Sequence, residues 1–250
     1  MNNDIIEVGA VCGVDGCSTS PVAGAAKKTS NKDVRSVHDL TIVSDVICPW
    51  CFVAKKNLEK ALELAGTDFA VNITWRPFEL NPAMPKEGLN RREYRSKKFG
   101  SWEQSKSLDA QVAAAGKLAG ITFRHDLIGR TPNTFNAHRL ISLAGREGVQ
   151  DAVVEALFRA YFVEGRDVGD TKVLVEIAKQ AGLSGPVVAA FLEGTAGTEE
   201  VRLEAQTAKM GGISGVPPFI LDCEELFSGA MKPELMAARL REAATAHAGR

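Results

Sequence analysis

The sequence predicts an α/β protein in which a large helical block interrupts a smaller unit of strands and helices. Three observations predict this class. A strand–helix–strand pattern covers residues 38–80, helical periodicity dominates 81–195, and a helix, two strands and a helix occupy 196–250. Residues 1–37 are rich in Gly, Ser, Ala and Asn and show no sustained period, which predicts a flexible N-terminal extension.

The first three elements follow from local patterns. The β-rich run Leu40–Val46 predicts a strand. Residues 52–66 carry apolar side chains near helical spacing and end in Gly66, which predicts a helix and its stop. Apolar residues then alternate in Val71–Phe78, which predicts a second strand with Trp75 in the core.

The helical block shows apolar stripes at i, i+4 and i+7, and Thr131-Pro132 has the residue types of a helix start. A further helix is expected over Thr198–Met210. Two short strands, PPFILD and ELFSG, and a closing helix over Lys232–Ala246 follow. Without the block, the order β-α-β-α-β-β-α is that of the thioredoxin fold. The predicted fold is therefore a thioredoxin unit with a large inserted helical domain.

The most specific motif is CPWC, at residues 48–51. Cys48 ends a strand-to-helix turn and Cys51 lies one helical turn deeper, so the two sulfurs can meet. The unpaired amides at the helix start are expected to face Cys48 and favour its thiolate, and Pro49 fits the first turn. The predicted chemistry is attack by Cys48 on a disulfide, followed by resolution of the mixed disulfide by Cys51.

A zinc site is the alternative interpretation of these cysteines. One C-x2-C pair supplies only two ligands, and Cys12 and Cys17 would have to complete the set. Their C-x4-C spacing is unusual for zinc. A strand before CPWC and an amphipathic helix after it favour redox chemistry over a metal or an inert pair.

A second candidate feature is the segment GISGVPPFILD, residues 212–222. In the thioredoxin order this loop faces the dithiol, so we predict that the Val216–Pro217 bond is cis. Such a loop would present the backbone of Val216 to an extended substrate. The alternative is a plain turn that contains two prolines.

These segments together resemble the DsbA-like thioredoxin superfamily, and within it the cytoplasmic FrnE-like branch. The resemblance covers about residues 40–245, and its carriers are SDVICPWC, WRPFELNP, GLNRREYRSKKFGS, IGRTPNTFNAHRL, LFRAYFVEGRDVGD and GISGVPPFIL. It implies thiol–disulfide oxidoreductase activity without a resident cofactor or metal. By position it implies Cys48 as nucleophile, Cys51 as resolving thiol and Pro217 as the cis proline.

The same fold branch includes 2-hydroxychromene-2-carboxylate isomerases and kappa-class glutathione transferases. They resemble this chain in the Asn81-Pro82 step and the proline loop, but they typically carry serine where Cys48 stands. The two cysteines favour disulfide exchange, with glutathione or thioredoxin as possible redox partners. A glutathione-dependent isomerase or transferase is the alternative function. Pro218 departs from the family pattern and removes a backbone donor beside Pro217.

Three further side chains have two interpretations each. Trp50 either forms the lip of a substrate groove or packs on the helical domain. Asp45 either shuttles protons to Cys51 or is an exposed strand-end acid. His138 is expected to be a satisfied helix-face histidine, with a role in the groove as the alternative.

For the remaining candidates, the sequence also allows or favours a role without chemistry. Cys12 and Cys17 could form a second redox pair on a mobile arm, or be two exposed thiols. Cys223 is expected to be a spare surface thiol. The basic residues of 91–98 are expected to form a solvated face.

Composition limits the function classes. Thirty basic and 31 acidic residues among 250 give a formal charge of −1, which does not favour nucleic-acid binding. The apolar stretches are too short to span a bilayer, and MNNDIIEVGA does not read as a secretory signal. Five cysteines do not form an even disulfide framework. We therefore expect a cytoplasmic protein that acts on disulfides of proteins or small molecules.

Overall fold

The computed structural model describes residues 37–66 and 69–248. A short 3₁₀ turn occupies His125–Leu127. The other elements in chain order are β1 (Val37–Ser44), α1 (Pro49–Ala65), β2 (Ala70–Pro77), β3 (Leu89–Asn90), α2 (Arg91–Phe99), α3 (Trp102–Leu118), β4 (Arg130–Thr131), α4 (Phe135–Arg146), α5 (Gln150–Phe162), α6 (Thr171–Gln180), α7 (Gly185–Glu193), α8 (Thr198–Met210), β5 (Pro218–Leu221), β6 (Glu224–Ser228) and α9 (Pro233–Ala248). This order confirms the predicted fold class.

The larger sheet has the strand order β2-β1-β5-β6. β1 and β2 run parallel, in register from the pair Val37/Ala70 to the pair Ser44/Pro77, and β5 is antiparallel to both β1 and β6. The carboxyl ends of β1 and β2 therefore meet at one edge, where the Phe78 amide bonds to the Ser44 carbonyl at 2.9 Å. The chain leaves this edge toward CPWC on one side and toward the helical block on the other.

Helix α1 begins at a proline and is followed by a glycine, two residue types that favour these positions. Pro49 occupies the first turn, and Gly66 follows the last turn at φ +87°, where its amide bonds to the Leu62 carbonyl at 3.3 Å. The buried face carries Phe52 and Leu58 and packs against α9, α3 and α5. The predicted helix and its glycine stop are confirmed.

An aromatic cluster joins α1, β2 and α5. The Phe52 and Phe158 rings stack with centroids 5.3 Å apart, and the Trp75 ring meets Phe158 edge-on at 6.3 Å. All three side chains are buried, as was predicted for Trp75. Because Phe52 follows Cys51 directly, this packing fixes the first turn of α1 against the helical block.

A buried ammonium group links the same elements. Lys55 Nζ lies 2.7 Å from Glu59 Oε1 and 3.0 Å from Asp151 Oδ2, and the Trp75 indole N–H donates to Asp151 Oδ1 at 3.0 Å. Burial lowers the pKa of Lys55. Its bonds to Glu59 and Asp151 raise the same pKa by more than burial lowers it, so the net shift is upward. The side chain therefore stays charged inside the protein.

One predicted helix start is wrong. Thr131 pairs with Leu89 in a two-stranded sheet formed by β3 and β4, and α4 begins only at Phe135. The Asn133 side-chain oxygen accepts from the Phe135 amide at 2.9 Å, so an asparagine turn, rather than the Thr-Pro step, leads into the helix. Within the described part of the chain, no helix combines the length and apolar character that crossing a membrane requires.

Candidate active site

The CPWC segment forms the junction between β1 and α1. Cys48 is the N-cap residue, with φ −87° and ψ 111°, and its amide bonds to the Asp45 carbonyl at 2.9 Å. The Cys51 amide bonds back to the Cys48 carbonyl at 3.1 Å. Both thiols are free, and Cys51 is completely buried, whereas Cys48 retains slight exposure. Only Cys48 can therefore be reached from outside.

The sulfur of Cys48 points to the opposing loop. Its thiol donates to the carbonyl oxygen of Val216 at 3.6 Å, a distance suited to a sulfur donor. The Cys48 side chain makes no capping hydrogen bond with the amides of α1. The stabilisation of a Cys48 thiolate by these amides stays a prediction, and in this structure the protonated thiol bonds to the Val216 carbonyl.

Cys51 is held as a neutral thiol. Burial raises its pKa well above the usual range, and a hydrogen bond with Cys48 and the nearby Cys48 and Asp45 charges act in the same direction. A hydrogen bond to the backbone of Asp45 lowers the pKa but does not offset the rise. The Cys51 thiol therefore interacts with Cys48 and resists ionisation.

The loop that faces the dithiol has the predicted backbone. The Val216–Pro217 peptide bond is cis. The Pro217 carbonyl accepts from the Gly229 amide at 2.7 Å and from the Ser228 hydroxyl at 3.2 Å, so the end of β6 anchors the loop. Pro217 is buried, while Val216 is half-buried and available at the surface.

An open groove borders this loop. It has a volume of about 330 Å³ and is lined by Gly212, Ile213, Ser214, Gly215, Val216, Pro218, Glu225 and Ser228. Trp50 is 39% exposed, so its ring lies open to solvent beside the two cysteines. The surface next to Cys48 thus offers backbone groups, small residues and one aromatic ring to a bound molecule.

Asp45 lies in the turn between β1 and Cys48 and is completely buried. Its carboxylate accepts from the Leu80 amide at 2.8 Å and from the Ile47 amide at 3.3 Å. The interpretation of Asp45 as an exposed strand-end residue is therefore wrong. The charge of this carboxylate also acts on the Cys51 thiol.

His138 reaches the same turn from α4. It is 2% exposed, its Nε2 lies 3.6 Å from Asp45 Oδ1, and this nitrogen has no hydrogen-bond partner among the described residues. The expectation of a satisfied helix-face histidine is wrong. A buried nitrogen that faces a carboxylate without a bond is unusual and suggests a functional role.

The sequence reasoning missed Glu79. Glu79 follows the end of β2 as Asp45 follows the end of β1. The pKa of Glu79 is raised, mainly by burial; the His138 charge lowers it and the Asp45 charge raises it. The sequence signal for Glu79 was an acid just beyond the end of each of two parallel strands. Since the carboxyl ends of such strands meet at one edge of the sheet, the two acids could have been expected to lie close together.

The expectations for the basic residues of α2 and for Cys223 are also wrong. Arg91 is buried and pairs with Asp109 at 2.7 Å, so the basic residues of α2 are not simply a solvated face. Cys223 is not a spare thiol, because its sulfur takes part in a disulfide. The proposals for Cys12 and Cys17, as a redox pair or as zinc ligands, lie outside the described residues. Within those residues, no three His, Cys, Asp or Glu side chains are grouped to hold a metal ion.

The comparisons with known proteins agree with this geometry. A family model described as a DSBA-like thioredoxin domain matches residues 39–241. The crystal structure of a probable DsbA oxidoreductase from Streptomyces coelicolor is 34% identical, with a TM-score of 0.76 over 82% of this chain and 89% of that chain. YwbO of Bacillus subtilis (strain 168) is 28% identical over 74% of this chain and 87% of its own length. The fold is also that of the cytosolic disulfide reductase DsbM from Pseudomonas aeruginosa, solved with GSH, at 20% identity and a TM-score of 0.57 over 82% of this chain and 98% of that chain.

Proposed function

Because this chain belongs to the DSBA-like thioredoxin family, we propose that it is a thiol–disulfide oxidoreductase whose redox centre is the Cys48–Cys51 pair. The observation that carries the proposal is the position of the Cys48 sulfur. It is slightly exposed, interacts with the buried Cys51 thiol and lies 3.6 Å from the Val216 carbonyl. The likeness to a probable DsbA oxidoreductase supports the same reaction class.

The reaction has two exchange steps. The Cys48 thiolate attacks one sulfur of a substrate disulfide, which forms a mixed disulfide and releases the first substrate thiolate. Cys51 then loses its proton and attacks Cys48, which closes the Cys48–Cys51 disulfide and releases the second thiolate. Two electrons pass from the protein dithiol to the substrate disulfide, and the reverse sequence oxidises a substrate dithiol.

The substrate binds, in this proposal, along the groove at residues 212–218. Ser228 and Gly229 fix the Pro217 carbonyl, so the adjoining Val216 carbonyl is held toward the sulfur. An extended chain or a small disulfide can lie there against the Trp50 ring. Because Pro218 has no amide hydrogen, recognition relies on Val216 and on the Gly212–Gly215 backbone.

Glutathione is the redox partner that we propose, in place of a resident cofactor. The structural neighbour DsbM was solved with GSH, which supports testing this peptide first. Equilibration of the Cys48–Cys51 pair in glutathione buffers gives its reduction potential. That value decides the net direction of electron flow, since 30 mV corresponds to about 1.4 kcal/mol for a two-electron couple.

Reduction of insulin disulfides tests the activity. Wild type with dithiothreitol should precipitate insulin faster than dithiothreitol alone, and Cys48→Ser should abolish the gain. A Leu118→Ala variant, altered at an exposed position, should match wild type. Equal activity of wild type and Cys48→Ser would reject the proposal. If Cys48→Ser also kept glutathione-dependent turnover of an aromatic substrate, the isomerase or transferase alternative would replace it.

A further inference from the structure

A buried imidazole from the helical block faces the redox centre. His138 lies on α4, and its Nε2 is 3.6 Å from the Asp45 carboxylate, without a hydrogen-bond partner among the described residues. Its side chain is almost wholly enclosed. Leaving a buried polar nitrogen without a hydrogen bond is unfavourable, so packing alone does not account for a histidine here.

Asp45 connects this imidazole to the resolving thiol. The Cys51 sulfur hydrogen-bonds the backbone of Asp45, and the Asp45 charge acts on that thiol. The same carboxylate is fixed by the amides of Leu80 and Ile47. Asp45 therefore interacts with Cys51 through its backbone and charge, and with His138 through its carboxylate.

Glu79 is an acid whose charge interacts with His138 and whose side chain borders an open cavity. It carries charge close enough to both His138 and Asp45 to affect its pKa, which burial raises. Its side chain lines an open cavity of about 380 Å³ with Asn133, Asn136 and Arg202. A proton on His138 therefore has an acceptor at the cavity wall.

We propose that Asp45, His138 and Glu79 form a proton-transfer path that takes the proton from Cys51 during resolution and passes it to the cavity. The inference rests on the proposed disulfide exchange and adds a role for the helical block in it. In the resolving step the Cys51–Cys48 bond forms and the bond from Cys48 to the substrate sulfur breaks. The substrate leaves as a thiolate, and the Cys51 proton moves to Asp45 and then to His138 Nε2.

The chemistry requires such a path because of where Cys51 lies. A thiol that is fully buried, with a pKa raised by burial, cannot lose its proton directly to water. In the proposed path, the neutral imidazole carries its proton on Nδ1 and offers Nε2 as the acceptor.

The charged and titratable groups around the path come from each side of α4. Tyr161 on α5 faces Asp45, and its own pKa is raised by burial, so it stays neutral. Lys209 and Arg202 on α8 face Glu79. Arg139, the neighbour of His138 on α4, donates hydrogen bonds to the carbonyls of Phe191, Leu192, Gly194 and Ala196.

The test separates resolution from the first attack. Reduced protein is mixed with glutathione disulfide, samples are quenched in acid from pH 5.5 to 9, and mass spectrometry follows the Cys48–glutathione adduct and the final Cys48–Cys51 disulfide. In His138→Phe we expect adduct formation at the wild-type rate. Resolution at pH 6.5 should be at least about tenfold slower and should rise with pH more steeply than in wild type.

Controls keep this result specific. His125→Phe is the matched control. Among the described residues, His125 also has a buried Nε2 without a hydrogen-bond partner, and its Nδ1 lies 4.0 Å from Asp109. This variant should resolve the adduct like wild type. His138→Gln serves if the Phe variant does not fold, and Asp45→Asn should slow resolution without adding to the His138→Phe effect. Wild-type resolution rates and pH dependence in both His138 variants overturn the path alone. If Cys48 forms no glutathione adduct even in wild type and Cys51→Ser, the proposed function falls and the path with it.

Discussion

The Cys48 thiol donates to the carbonyl oxygen of Val216 at 3.6 Å, across 168 residues of sequence. This contact joins the first turn of α1 to the loop before β5 and defines the point at which a substrate sulfur would enter. The order of elements in the sequence already predicts that this loop lies opposite the dithiol. In the proposed function, the substrate backbone and the Cys48 thiol would compete for the Val216 carbonyl.

The two cysteines should differ in reactivity toward alkylating reagents. With limiting iodoacetamide at pH 7, the reduced protein should be labelled at Cys48 and not at Cys51, because burial encloses Cys51 and raises its pKa. Peptide mass spectrometry gives the site occupancies. Comparable early labelling of Cys51 would contradict this arrangement.

The raised pKa of Cys51 also predicts a pH dependence of stability. Above pH 9 the unfolded thiol ionises while the folded one keeps its proton, so the unfolded state binds fewer protons and stability falls as pH rises. The reduced wild type should lose stability relative to Cys51→Ala by up to about 1.4 kcal/mol per pH unit. Urea unfolding at pH 8 and pH 10 measures this. An unchanged difference between the two proteins would show that the thiol titrates normally.

The aromatic cluster should be a main source of stability. Phe158→Ala removes the ring that stacks on Phe52 and meets Trp75, and we expect a loss of about 3–5 kcal/mol. Leu118→Ala, at a residue that is 84% exposed, should change stability by less than about 0.5 kcal/mol. Chemical denaturation of both variants checks the contrast, and equal losses would place the core elsewhere.

The buried ammonium of Lys55 should matter more than an exposed ion pair. Lys55→Ala leaves Glu59 and Asp151 without their partner, and we expect a loss of about 2 kcal/mol, since both carboxylates keep part of their hydration. Arg202→Ala breaks an exposed pair with Glu199 and should cost under about 1 kcal/mol. Thermal melts at neutral pH rank the variants. The reverse order would contradict the assignment of Lys55 as a buried link.

Local sequence signals predicted the elements whose start and stop depend on nearby residues. Gly66 ends α1 as expected, and α8 spans Thr198–Met210 as predicted, because these boundaries follow from propensity and turn chemistry. Thr131-Pro132 misled the prediction since Thr131 is drawn into a strand pair with Leu89, a partner that local sequence does not reveal. The division of the chain at residues 80 and 195 stays a prediction.

The site was predictable where residues lie close in sequence or follow the fold order. CPWC and the loop at Pro217 were both identified from the sequence. The position of His138 could not be, because it depends on how α4 packs against the turn at Asp45, 93 residues away along the chain. Packing of that kind is decided by side-chain shape rather than by periodicity.

Trapping of the mixed disulfide tests the central claim most directly. Reduced Cys51→Ser protein, incubated with glutathione disulfide, should accumulate one glutathione on Cys48, which peptide mass spectrometry locates, because the second exchange cannot occur. Cys48→Ser should accumulate none at Cys51 on the same timescale. A glutathione adduct at Cys51 in Cys48→Ser, or none on Cys48 in Cys51→Ser, would contradict the account.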